Sequence, residues 1–137
     1  MKNIFFILIS GLFLLASGCN KGQSQTSATQ LAPTDFSEKI KQAPEAPIID
    51  VRTPEEYTEG HIANAKNINW NGTDFEAQIN QLDKSKPVYV YCQKGVRSAE
   101  ASTKMRSIGF KDVYELKGGL SNWEKAKLPL TTNTTPH

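Results

Sequence analysis

Apolar residues in this chain fall into short dense runs, separated by longer stretches in which they recur at helical spacing. Ala46 to Val51 is a run of the first kind, the pattern of a strand buried on both faces of a parallel sheet. Pro87 to Tyr91 and Asp112 to Leu116 repeat it, and Lys66 to Ile68 is a smaller version. Between these runs, Pro33 to Gln42 carries Phe36 and Ile40 one turn apart, and Phe75, Ile79 and Leu82 share a helical face. Thr53-Pro54-Glu55-Glu56 supplies an N-cap, a proline at the first helical position and two acids in the first turn, which predicts a short helix ending near Gly60. Arg97 to Ile108 reads as a helix stopped by Gly109, and Gly118-Gly119 turns the chain into a last helix from about Leu120 to Ala126. Strands and helices that alternate through short connections predict an α/β domain, a parallel sheet of about five strands covered by helices on both faces. No internal repeat is visible.

The N-terminus has a different pattern. Lys2 is followed by an almost wholly apolar stretch from Ile4 to Ala16, and then by Ala16-Ser17-Gly18-Cys19. A run of about 13 apolar residues is too short to span a bilayer but suits a signal-peptide core. The four residues ending at Cys19 resemble a bacterial lipobox, although Ala16 stands where leucine is usual. On that reading residues 1–18 are cleaved, Cys19 carries acyl chains, and the protein is an exported lipoprotein anchored on the periplasmic or cell-surface side. The plainer alternative is a secretory signal in which Cys19 has no role. Residues 19–30 are rich in Ser, Thr, Gln and Gly and read as a flexible tether; 31–130 form the domain, and 131–137 a polar tail.

With 137 residues in all, the chain has room for one domain and one core. Sixteen Lys+Arg against fourteen Asp+Glu, scattered rather than striped, make nucleic acid an unexpected partner. The two cysteines are Cys19 and Cys92, so an acylated Cys19 leaves one thiol in the mature domain and no internal disulfide. Two histidines and one thiol are too few for a convincing zinc site.

Cys92 ends the run Tyr89-Val90-Tyr91 and opens the loop Gln93-Lys94-Gly95-Val96-Arg97-Ser98. Ligands of a parallel sheet bind beyond the carboxyl ends of its strands, and there a ring of backbone N–H groups at a helix start can hold an anion. A cysteine at a strand end can be a small buried hydrophobe. The glycine and two cations beside this one point instead to a thiolate nucleophile.

The loop resembles the active-site loop of rhodanese-like sulfurtransferases. Ile49-Asp50-Val51-Arg52-Thr53-Pro54-Glu55-Glu56-Tyr57, Glu59-Gly60-His61-Ile62-Ala63-Asn64-Ala65 and Gly118-Gly119-Leu120-Ser121-Asn122-Trp123 resemble that family's other landmarks, in its order. Together they cover about Leu31 to Leu130. Ala63-Asn64 stands where the family usually has Pro-Gly. The resemblance implies the rhodanese-like three-layer fold and a sulfur transfer in which Cys92 takes sulfane sulfur as a persulfide. It assigns the backbone of Gln93, Lys94, Gly95, Val96, Arg97 and Ser98 to binding that anion, Arg97 to closing the loop, and Lys94 to holding a donor such as thiosulfate. Acceptors would be cyanide, a thiol or a protein sulfur acceptor, with no metal or organic cofactor. A non-catalytic or persulfide-carrier module at the membrane is the alternative role.

Arg97 is the fifth residue after Cys92, whereas related phosphatases and arsenate reductases space the pair one residue further apart. The smaller ring suits a sulfur atom, and the second thiol that arsenate reduction needs is missing. Asp50 and Arg52 are expected to satisfy loop backbone groups or to pair with each other or with Glu56. His61 is expected to be structural, and Trp123 to pack the last helix on the core. Trp70 has two open readings, at the mouth of the pocket or on a surface strand.

Overall fold

The computed structural model describes residues 28–132, in which strands and helices alternate. In chain order they are β1 (Thr29–Leu31), α1 (Pro33–Gln42), β2 (Ile48–Asp50), α2 (Pro54–Glu59), β3 (Ala65–Asn67), α3 (Phe75–Ile79), β4 (Val88–Tyr91), α4 (Val96–Ser107), β5 (Val113–Leu116) and α5 (Gly119–Lys125). The strands form one sheet in the order β1-β5-β4-β2-β3, and every adjacent pair is parallel. Every residue of β2 and β4 is buried, including Asp50 at the end of β2, as their dense apolar runs predict.

Helices cover both faces, the layered α/β arrangement expected from the sequence. On one face Ile49, Val51, Val88, Val90 and Val113 pack with Phe75 and Ile79 of α3 and with Ala101 and Met105 of α4. On the other, Ile48, Tyr89, Tyr91 and Leu116 pack with Phe36 of α1 and with Leu120 and Trp123 of α5. Trp123 stands edge-on to Phe36 at 6.3 Å between ring centroids and donates its Nε1–H to the Pro129 carbonyl. It therefore packs the last helix on the core.

Local signals were accurate where side chains meet their own backbone. Thr53 and Glu56 form a reciprocal capping box at α2, with Pro54 in the first turn. Gly109, at φ +108°, follows the end of α4. Asn64 sits at φ +65°, in the left-handed region that asparagine tolerates better than most residues.

Both ends of the domain extend further than the sequence suggested. Thr29 and Gln30, read as tether, are the first residues of β1 and pair in register with Tyr114 and Glu115. Thr-Gln-Leu has neither an apolar run nor alternation; it is a strand because β5 offers it an open edge. Thr131, read as tail, exchanges two backbone hydrogen bonds with His61, at 2.8 and 2.9 Å. The signal segment and Cys19 lie outside the described residues. Among the described residues no helix is long and apolar enough to cross a membrane.

Candidate active site

The chain leaves β2 toward β3 on one side of the sheet and leaves β4 toward β5 on the other. The crevice beyond the carboxyl ends of β2 and β4 is therefore where the connections diverge, the usual ligand site of an open parallel sheet. Cys92 is the residue after β4, and it is 1% exposed.

The loop after it curls back on the sulfur. Gly95 adopts φ +101°, a left-handed conformation that suits glycine, and caps α4. The backbone N–H groups of Gly95 and Ser98 donate to Cys92 Sγ at 3.1 and 3.4 Å. Two main-chain donors at the start of a 12-residue helix form a nest for a sulfur anion. From behind, α5 fastens the loop: Leu120 N–H donates to the Cys92 carbonyl and Ser121 N–H to the Gln93 carbonyl, both at 3.0 Å. The Ser121 hydroxyl adds a third bond, to the Gln93 carbonyl at 3.1 Å.

The charged side chains are arranged around this nest. Arg97, in the first turn of α4, reaches back to α2 and holds Glu56 through both guanidinium ends, at 2.7 and 2.9 Å. That pairing keeps the Glu56 carboxyl down at about 2, despite some burial working the other way. The same pairing raises Arg97, and the nearby Cys92 adds a smaller push in the same direction. Asp50 and Arg52 pair with each other at 2.7 Å, both buried. Arg52 also donates to the Gly60 carbonyl and to the Gln93 side chain, so this buried pair ties the loop to the sheet. Lys94 is exposed at the rim, and Val96, the first residue of α4, is the exposed large hydrophobic among the described residues, 70% accessible.

His61 is buried, stacked on the Tyr57 ring at 3.8 Å, with Nδ1 2.9 Å from the Tyr57 carbonyl oxygen. Its contacts are those of a scaffold residue. Trp70 lies after β3 rather than on a strand, edge-on to Phe75, with its Nε1–H donated to Glu100. An apolar cavity of about 330 Å³, lined by residues such as Ile40, Ile62, Trp123 and Leu128, includes no residue of the Cys92 loop.

Two acidic residues near the site were missed as site residues. Glu56 was read only as part of a helix start and as a possible partner for Arg52, yet it is the partner of Arg97. Glu115 was read only as part of a strand, and it is 3% exposed with its carboxylate 3.1 Å from the Ser98 hydroxyl. The available signal was a carboxylate set into the otherwise apolar run Val113-Tyr114-Glu115-Leu116. Among the described residues no cluster of His, Cys, Asp and Glu could hold a metal ion.

The model of the rhodanese-like domain matches residues 32–126. The chain is 32% identical to the uncharacterized protein YqhL of Bacillus subtilis over 123 residues, covering 90% of this chain and 94% of that protein. It is 39% identical over 77 residues to the thiosulfate sulfurtransferase GlpE of Coxiella burnetii, covering 56% of this chain and 70% of that one. Among solved structures it resembles the polysulfide-sulfur transferase homodimer of Wolinella succinogenes, with a TM-score of 0.66 and 30% identity over 82% of this chain and 85% of that one. The match runs through the capped helix, the cysteine nest and the diglycine turn alike, and the chain belongs to the rhodanese-like domain family, which includes proteins named as sulfurtransferases.

Proposed function

We propose that this protein is a sulfurtransferase that carries sulfane sulfur on Cys92 and works outside the cytoplasm, tethered to a membrane through an acylated Cys19. The observation that carries the catalytic reading is the pair of N–H donors, from Gly95 and Ser98, converging on Cys92 Sγ. They stabilise negative charge on Sγ before the donor arrives and again as the acceptor's attack on the persulfide returns the charge to it. The Cys92 thiolate attacks the outer sulfur of thiosulfate, a new S–S bond forms, and sulfite leaves with the electron pair of the old one. An acceptor such as cyanide then attacks the outer sulfur of the persulfide, thiocyanate departs, and the thiolate is regenerated. A polysulfide donor follows the same course with a shortened polysulfide as leaving group. Lys94 at the rim is the group to hold an anionic donor, and Arg97 adds positive charge beside the loop. No step consumes an oxidant or needs a metal.

Cyanolysis with thiosulfate and with polysulfide tests the reading. Cys92→Ser is expected to abolish turnover and to lose the one-sulfur mass increment that the wild-type residue gains on donor treatment. Equal activity in both proteins would overturn it. A persulfide on Cys92 with negligible turnover on small acceptors would instead favour a carrier that hands sulfur to a protein. For the anchor, Cys19→Ser is expected to move the protein from the membrane to the soluble fraction of the expressing cell; unchanged partition would remove the lipoprotein reading.

A further inference from the structure

Behind the nest, on the sheet side, Cys92 Sγ lies 3.5 Å from Ser98 Oγ, and Ser98 Oγ lies 3.1 Å from Glu115 Oε1. All three residues are buried. A serine hydroxyl has one proton to give. Ser98 has two acceptors at 3.1 Å, Glu115 and the Gly95 carbonyl, and only the carboxylate can take a proton away. We infer that Ser98 and Glu115 form a relay that removes the thiol proton from Cys92, with Glu115 as a positioning residue acting through Ser98.

The step balances within the chain. The Cys92 S–H bond breaks and its proton passes to Ser98 Oγ, while the Ser98 proton passes to Glu115 Oε1. A thiol and a carboxylate become a thiolate and a neutral carboxylic acid, and the net charge does not change. The exchange also removes a like charge from behind the sulfur, so the persulfide anion would not face a carboxylate. This inference deepens the sulfurtransferase reading and rests on it for its catalytic meaning.

The surroundings of Glu115 fit a proton acceptor. Burial raises its carboxyl above the ordinary range, against the hydrogen bonds from Ser98 and Gln30, which lower it. From β1 it faces Gln30, and its neighbour on β4 is Val90. The charged residues of α4 are engaged elsewhere: Arg97 with Glu56, Lys104 with Glu76, Glu100 with Trp70, and Arg106 with the Val113 carbonyl. Lys94 is exposed at the rim. The Cys92 thiol lies next in the hydrogen-bonded chain that reaches Glu115 through Ser98. Glu115 also borders an open cavity lined by Ala28, Gln30, Ala99 and Thr103, through which a proton can reach solvent.

The test is the pH dependence of Cys92 alkylation by iodoacetamide in the full chain, read at Cys92 by peptide mass spectrometry. Two coupled groups sharing one proton give a rate that rises in two steps with a plateau between them. Wild type is expected to show that plateau, and Glu115→Gln and Ser98→Ala to show a single step with a rate at least about tenfold lower at the plateau pH. Glu115→Asp, which keeps the acid, is expected to restore two steps. A one-step profile in wild type, or a two-step profile retained in both Glu115→Gln and Ser98→Ala, would overturn the relay. Ser98→Ala removes one hydroxyl and leaves the carboxylate in place, so it decides the matter if Glu115→Gln fails to fold. Alkylation does not depend on any sulfur donor. A two-step profile without cyanolysis would sink the sulfurtransferase reading alone, and cyanolysis with a one-step profile would sink the relay alone.

Discussion

A Cβ built on Gly119 would stand 2.5 Å from the Cys92 carbonyl oxygen and 2.6 Å from the Gln93 carbonyl carbon, both main-chain atoms that cannot step aside. The residue also sits at φ +62°, where a side chain is strained. Gly118, at φ +74°, shares that strain but not the main-chain clash: the nearest atoms to its added Cβ belong to the Asn122 side chain, which can rotate away. Gly119→Ala is therefore expected to cost about 2–4 kcal/mol, read from the urea midpoint, through strain and steric clash. It should also lower sulfur transfer at least tenfold, because it pushes α5 off the loop whose carbonyls it holds; a catalytic loss of about this size follows from displacing one anion-binding donor. Gly118→Ala should cost less on both counts. Equal effects at the two glycines would show that the close approach of α5 does not shape the nest.

At the scale of elements, α2 and α4 are joined by the Glu56–Arg97 pair, with side chains 33% and 26% exposed. Glu56 is held at about 2 against an ordinary 4.5, chiefly by Arg97. A carboxylate whose folded value is depressed stabilises the fold fully above its unfolded value, and that contribution is lost as pH falls from about 4.5 toward 2. Solvent screening at this exposure limits the gain to about 1 kcal/mol or less. Glu56→Gln keeps a side chain able to complete the capping box and removes the charge. Its Tm is expected to fall below wild type at pH 6 and to converge with it near pH 2. A Tm difference that is constant across this range would assign the effect to packing or capping instead.

For the whole molecule, β1 closes one edge of the sheet and covers Glu115 from that side. Its ladder continues into the Lys117 N–H bond to the Leu31 carbonyl at 2.9 Å. A chain that begins at Pro33 is expected to be about 2–4 kcal/mol less stable than one that begins at Ala28, from a few lost ladder bonds and the packing around them. Urea denaturation of the two chains measures this, and equal midpoints would mean that β1 contributes nothing to the fold. The N-terminal boundary of the domain is thus a matter of sheet completion, which the polar character of Thr29 and Gln30 conceals.

Sequence alone determined the features that depend on neighbours along the chain. The buried strands β2 and β4 were visible as apolar runs, and α2 as Thr53-Pro54-Glu55-Glu56, an N-cap, a proline and two acids. The Cys92 loop was visible as a strand end running into a helix start, because nest, turn and cap are all made within a few residues. What the tertiary structure decided lies across the sheet. Arg97 pairs with Glu56, 41 residues away in sequence. Arg52 reaches Gln93 over the same separation, and Ser98 meets Glu115 from 17 residues away. No local pattern encodes those meetings, since they depend on β4 lying between β2 and β5. That order is set by how the helices bury their apolar faces, and it makes Glu115 a buried neighbour of the thiol's hydrogen-bond network rather than one more acid on a strand.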